Sequence, residues 1–293
     1  MSSEDTHPAL VSKITLAEDY IHGFGAAEEQ RLRAQAAFLA DVVFHDWVLP
    51  SSGRLLEIGC GVGAELELIS QRWPGLELTG IELSETHAAA AGHALGGQAT
   101  VVRGDAHQLP FADDSFDIAI TIWVLEHARS PVDVMREAMR VVHPDGRLIF
   151  TEVDNSTFRF QPELPAIAGW WELFCHRQQE AGGDPYVGRR LADLALAAGG
   201  CEIEALELSV HSRREDLSRR TQLLNYLEEL LLSGAAHLLE FGDAESSTLA
   251  ELRADFEKAH CDSSIQFQYH AVRLTCRPSP RPPVSVGGLT SIL

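Results

Sequence analysis

The chain has 293 residues, 45% of them apolar, which is enough to bury a full core within one large domain or one domain with an elaborated cap. A formal net charge of −20 excludes a phosphate backbone as the natural partner, since nucleic-acid binding draws on clustered Lys and Arg. The five cysteines form no C-x-x-C pair and the 13 histidines form no H-E-x-x-H, so reduced structural thiols and no metal site are expected.

Residues 1–20 show no periodic signal and lack the layout of a secretory signal, and no apolar run reaches membrane-spanning length. A cytoplasmic protein without membrane contact is expected. Tyr20-Ile21-His22-Gly23-Phe24-Gly25 reads as a loop able to fold over a ligand, or to staple the next helix to the core. From Ala26, the positions Leu32, Ala36, Leu39, Val43 and Trp47 recur at three- and four-residue steps, which predicts a long amphipathic helix ending at Pro50. Strands are then predicted over 54–58, 76–82, 100–103, 116–123 and 147–152. Helices over 64–73, 84–94 and 131–142 alternate with them. That alternation predicts an α/β fold, a doubly wound parallel sheet with helices on both faces.

Past the fifth strand the pattern loosens. Residues 155–183 hold Trp170, Trp171, Phe174 and His176 and read as an inserted helix; a helix through Ala198 and a strand over 202–210 follow. Arg213-Arg214 and Arg219-Arg220 are the densest basic spots and, with Glu215 and Asp216 between them, read as a solvated helix face. Residues 215–258 read as helical, with an apolar stripe of Leu223, Leu224, Leu227, Leu230 and Leu231 that would serve a homodimer as readily as a lid. Residues 265–276 alternate as a last strand. The expected organisation is a lid and helix (1–50), a cofactor-binding half (51–153), a helical insertion (154–183), a core continuation (184–211), a helical cap (212–263), the last strand (264–276) and a disordered Pro-rich tail (277–293).

The chain centres on Leu55-Leu56-Glu57-Ile58-Gly59-Cys60-Gly61-Val62-Gly63-Ala64, a buried strand that breaks into a glycine turn and opens a helix. Such a turn lets a ligand approach the main chain and meets it with free N–H groups. Gly59, Gly61 and Ala64, with Glu82 further on, also fit a dinucleotide site, so an NAD-dependent oxidoreductase is the rival reading at this point. A non-catalytic ligand-binding protein of the same fold is the third.

Four segments decide between them. Residues 55–63 are joined by Gly80-Ile81-Glu82-Leu83-Ser84, by 104–117 from Gly104-Asp105-Ala106 to Ser115-Phe116-Asp117, and by Leu125-Glu126-His127 with 141–146. In sequence and spacing these resemble the class I S-adenosylmethionine-dependent methyltransferases. Residues 20–32, Thr151-Glu152-Val153-Asp154 and 183–189 are loosely similar to a bacterial small-molecule branch with quinone-type members. The resemblance implies a seven-stranded, mostly parallel sheet with its last strand antiparallel, and a methyl transfer to N, O or C of a small molecule. It places Gly59, Cys60, Gly61 and Gly63 under the methionine part of the cofactor, with Glu57 steadying the loop and the amino group. Glu82 would accept from both ribose hydroxyls, Asp105 and Ala106 would meet the adenine, and Leu83 and Trp123 would complete the site. For base or acceptor orientation the candidates are His127, Glu152 and Asp154. Tyr20, Phe24, Trp170, His176 and Tyr186 are the candidates for substrate contact.

Overall fold

The computed structural model describes residue 23 and residues 25–212, 216–240 and 244–280. The expected lid aromatics Tyr20 and Phe24, the pair Arg213-Arg214 and positions 281–293 of the expected tail lie outside the described residues. Seven strands, β1 (Gly53–Ile58), β2 (Leu76–Glu82), β3 (Ala99–Arg103), β4 (Phe116–Ile122), β5 (Val142–Gln161), β6 (Gly200–His211) and β7 (Gln266–Pro278), form one sheet in the order β3-β2-β1-β4-β5-β7-β6. β1 to β5 pair in parallel, and β7 lies antiparallel between β5 and β6. The chain starts at β1, winds outward to β3 and returns to β4. That reversal opens a crevice at the carboxyl ends of β1 and β4, where ligands bind in such sheets.

The central strands are apolar on both faces because both are covered. Leu55 and Leu56 are each fully buried and point to opposite sides. Leu55 packs with α1 (Ala26–Val43), α2 (Ala64–Arg72) and α3 (Glu85–Leu95), through Leu39, Leu66 and Leu95. Leu56 packs with α4 (Pro131–Val141) and α6 (Leu191–Ala198), through Met135 and Leu191. Local chemistry sets the ends: the Ser84 hydroxyl accepts the His87 N–H at the start of α3, and α4 opens on Pro131, whose missing N–H costs nothing there.

The structure differs from the predicted pattern beyond residue 152. β5 continues to Gln161, shifting register between Asp154 and Arg159, and β7 pairs with it to the end. The helix α5 therefore spans Pro165–Glu180, and residues 154–161 of the expected insertion are strand. The extended arms of β5 and β7 carry a third core, in which Phe158, Phe160, Phe267 and Tyr269 meet Trp170, Trp171 and Phe174 of α5. Leu223, Leu224, Leu227 and Leu231 of α7 (Leu217–Ser233) and Phe256 of α9 (Ser246–Cys261) close it, with the short α8 (Ala235–Glu240) between the two helices. Four leucines of the expected stripe are thus buried inside the chain, and the fifth, Leu230, is partly buried on the cavity wall. Arg220 is likewise buried, against the expected solvated face: its guanidinium donates to the carbonyls of Ile265, Ala259 and Asp262 at 2.7, 2.6 and 3.1 Å and ties α7 to the start of β7. Arg219 remains exposed. The last strand runs on to Pro278, two residues into the expected tail. Among the described residues no helix is long and apolar enough to cross a membrane.

Candidate active site

Three loops leave the carboxyl edge of the sheet side by side. After β1 the chain turns through Gly59, Gly61 and Gly63 at φ +72, +50 and +76, a region glycine enters without strain. A Cβ at Gly59 would sit 2.7 Å from the Val124 side chain, whereas at Gly61 it would meet nothing closer than Leu32 at 4.0 Å. Gly59 is therefore needed for packing, and Gly61 keeps the main chain open to a ligand. The Gly61 N–H donates to Glu82 Oε2 at 3.0 Å and the Ser84 N–H to Oε1 at 2.8 Å, so the carboxylate that ends β2 clips the turn in place. With up to four lone-pair sites, it still has capacity to accept hydroxyl donors. After β3, Asp105 Oδ1 accepts the His107 N–H at 2.8 Å and lies 2.8 Å from His107 Nδ1, which leaves Oδ2 to accept from a ligand.

Glu57 lies behind the turn, 2% exposed, and its Oε2 has no hydrogen-bond partner among the described residues. Burial first, then the charges of Glu65 and Glu82, push its pKa well above the usual carboxylate range. Glu65, on the cavity wall, is pushed up to about 7 by burial, against the pull of its own backbone amide and of Arg33. The Cys60 thiol is also raised, by burial and by Glu57, and packs over Gly80, where a Cβ would come within 2.6 Å of Sγ. Three acids crowded round one turn repel each other, and a ligand with fixed positive charge relieves that repulsion.

These loops open on one cavity of about 290 Å³, whose far part is a chamber under the helices. Its walls are Arg31, Gln35 and Leu39 of α1, Trp171 and Phe174 of α5, Tyr226 and Leu230 of α7, and Asn155 and Tyr269 from the strand arms. The turn after β4 forms the remaining side. Trp123 stands there at φ +58, an uncommon conformation for a bulky residue, held by its N–H donating to Thr151 O at 3.0 Å. Beneath the turn Glu152 is fully buried and accepts the N–H groups of Val124, Leu125 and Glu126 at 3.0, 2.8 and 3.4 Å. Burial and then the Glu126 charge push Glu152 up to about 8, while the three amides pull the other way.

Most of the cofactor residues named from the sequence come together here. Gly59, Cys60, Gly61, Glu82, Leu83, Asp105, Ala106 and Trp123 line the cavity, whereas Glu57 and Gly63 are not among its walls. The acceptor-side expectations fare differently. His127 lines the chamber, with Nδ1 3.3 Å from Gln178 Nε2. Glu152 does not reach the chamber, because its carboxylate is spent on the turn amides, and it is a positioning residue. Asp154 turns away too, accepting from the backbone N–H and hydroxyl of Ser156 at 3.2 and 2.7 Å. His176 is exposed on the outer face of α5 beside Glu180, and Tyr186 lies outside the cavity under the Arg189 guanidinium. Trp170 is buried in the third core and donates Nε1–H to Leu231 O at 3.1 Å; its neighbour Trp171 faces the chamber. Adjacent helical residues point about 100° apart, so only the docking of α5 decides which of the two is which.

Sequence reasoning missed Glu126, Asn155, Tyr226, Tyr269 and Arg31. Arg31 had a readable signal, since Glu28 and Gln35 stand three residues before and four after it on one helix face; all three are buried. Asn155 and Tyr269 are 114 positions apart, and nothing local announces that the Tyr269 hydroxyl donates to Asn155 Oδ1.

A seven-stranded sheet of this order with its acids at the three strand ends defines a Rossmann-like methyltransferase fold. A methyltransferase-domain family model matches residues 56–150. The chain is 32% identical over 204 residues to the malonyl-[acyl-carrier protein] O-methyltransferase of Herminiimonas arsenicoxydans, covering 69% of each chain. It is 34% identical over 151 residues to the ubiquinone/menaquinone biosynthesis C-methyltransferase of Roseobacter denitrificans, covering 50% of this chain and 58% of that one. The chain spans about half the length of the curated relatives it matches first. A solved S-adenosylmethionine-dependent methyltransferase from Thermotoga maritima shares the fold at a TM-score of 0.55 and 18% identity, over 89% of this chain and 99% of that one. The chain belongs to the class I S-adenosylmethionine-dependent methyltransferases. Its residues suit that cofactor: the unpartnered Glu57 oxygen and the raised Glu65 suit its positive charges, Glu82 its ribose and Asp105 Oδ2 its adenine amine.

Proposed function

We propose that the chain transfers a methyl group from S-adenosylmethionine to N, O or C of a small-molecule acceptor. One observation carries the reading: the glycine turn, Glu82 and Asp105, from three different strands, line a cavity whose far part is an aromatic-walled chamber. When bound, the cofactor supplies a methyl group on a sulfonium, activated for in-line displacement. The chain's own part is alignment and exclusion of water. The Gly61 main chain, clipped by Glu82, seats the methionine side. Trp123 and Val124, held by Thr151 O and Glu152, set the wall beside it. Trp171, Phe174, Tyr226 and Tyr269 close the acceptor end to water, while Glu126 and His127 give it polar groups that can orient an acceptor or hold its proton. The buried free thiols Cys60, Cys175 and Cys276 suit a reducing compartment, and we place the protein in the cytoplasm.

Calorimetry with S-adenosylhomocysteine tests the reading. The wild type is expected to bind it and not to bind NAD. Glu82→Ala weakens that binding by about tenfold or more, since hydrogen bonds to a charged group contribute about 1.5–3 kcal/mol. Unchanged affinity in the variant overturns the assignment. A labelled-methyl screen over amines, phenols and quinones then identifies the acceptor.

A further inference from the structure

The acceptor chamber has a charge asymmetry that narrows the acceptor class. Among the described residues lining the cavity, Arg31 is the one permanent cation. It is already engaged: Glu28 accepts two bonds from its guanidinium at 2.7 Å each, and Gln35 Oε1 takes another at 2.6 Å. Among the described residues, no Lys or Arg pairs with Glu126. Its side chain is 11% exposed, Oε2 accepts from Gln178 Nε2 at 2.9 Å, and Oε1 stands 3.8 Å from His127 Nε2, too far for a hydrogen bond. The fold goes to some length to hold this carboxylate there. Glu152 accepts the Glu126 N–H from below, and the Glu126 carbonyl accepts from Asp184 N–H at 2.8 Å and Gln178 Nε2 at 3.2 Å. Gly183 is required for that packing, because a Cβ there would lie 2.4 Å from the Glu126 carbonyl oxygen.

We propose that the methyl acceptor is an amine, bound as its ammonium with the cationic nitrogen on the Glu126 carboxylate. The proposal rests on the methyl-transfer reading above and names its substrate class. A carboxylate facing a chamber walled by Trp171, Phe174, Tyr226 and Tyr269 is poorly solvated, so an ammonium there gains more than it would in water, and aromatic walls accept cations well. The alternative nucleophiles fare worse. A phenolate or enolate would bring a second negative charge toward Glu126. One phenol in the wall registers that opposition: Tyr269 is pushed well above its ordinary value, chiefly by burial and next by the Glu126 charge, whereas burial raises Tyr226 to about 12 and Arg31 pulls it down more than Glu126 pushes it up.

The step balances. The ammonium gives one proton to Glu126, whose partly exposed carboxyl hands it on to solvent. The freed lone pair forms the N–C bond while the C–S bond breaks, its electron pair remaining on sulfur as a neutral thioether. The product nitrogen again carries one positive charge and stays paired with Glu126 until release.

Binding to the S-adenosylhomocysteine-saturated protein tests this without knowledge of the natural acceptor. The probes are benzylamine, phenethylamine and tyramine, each against the isostere with a hydroxyl or methyl in place of the amino group, by calorimetry. The amines are expected to bind roughly tenfold or more tightly than their isosteres, and Glu126→Gln to erase the difference. S-adenosylhomocysteine affinity in Glu126→Gln, expected within threefold of wild type, reports that the variant is folded. Equal affinity across each pair, including no binding by any member, overturns the proposal, as does an amine preference that survives Glu126→Gln. Loss of S-adenosylhomocysteine binding by the wild type overturns the cofactor reading instead, so the two failures are distinct.

Discussion

Replacing Glu152 with alanine removes the acceptor on which the turn after β4 hangs. Its Oε1 takes the Val124 and Leu125 amides at 3.0 and 2.8 Å in a place no water reaches, since Glu152 is fully buried. Each amide left unpaired costs about 1–3 kcal/mol, so the variant is expected to lose about 2–6 kcal/mol. For a domain of this size that corresponds to a fall in Tm of roughly 5–20 °C. Glu152→Gln keeps an acceptor for these amides and isolates the charge. The folded-state pKa stands at about 8 against 4.5 for the free group, so folding takes up a proton between these values. A raised folded pKa means that this group's stabilisation is complete below about pH 4.5 and is lost as pH rises through 8. Glutamine imitates the protonated acid and has no such loss. Between pH 5 and 7 the stability of Glu152→Gln relative to wild type should therefore rise by roughly 2–3 kcal/mol, at about 1.4 kcal/mol per pH unit. Urea unfolding at both pH values measures it. An alanine variant within 1 kcal/mol of wild type, or a glutamine difference that does not move with pH, would refute the positioning role.

Further outcomes follow from neighbouring residues. Glu57→Gln should leave the cofactor-free protein at least as stable as wild type near neutral pH, because it removes a raised buried acid with an unpartnered oxygen. In the wild type, a cationic cofactor favours ionised Glu57, so S-adenosylmethionine affinity should increase with pH and do so less in the variant; parallel calorimetric slopes would count against this. Gly59→Ala must fit a Cβ 2.7 Å from Val124 at φ +72, and should cost about 1–3 kcal/mol in unfolding and weaken cofactor binding. Trp170→Ala and Trp171→Ala should each cost about 3–5 kcal/mol by thermal or urea unfolding. Only Trp171→Ala should also weaken amine binding in the chamber, and equal binding losses would mean the two tryptophans have been assigned to the wrong sides.

The cofactor half was legible because its signals are local. Gly59, Gly61 and Gly63 turn the chain within five residues of β1, and Glu82 and Asp105 sit at or just past the ends of β2 and β3. Strand and helix periods therefore place them at one sheet edge without any knowledge of the packing. The acceptor half is built from residues that meet only through the long arms of β5 and β7. Trp171 rather than Trp170 faces the chamber, Asn155 finds Tyr269 across the sheet, and Leu223 to Leu231 fill a core that an isolated helix would leave bare. Glu152 and Glu126 show the difference most plainly. Both are acids near the carboxyl edge of the sheet, alike in sequence. The backbone amides of the turn after β4 consume one of them as a structural acceptor, and the other is left looking into the chamber. Short-range periodicity determines which edge carries chemistry, whereas which carboxylate remains available depends on donors brought from 26 to 28 residues away, and only the folded chain decides that.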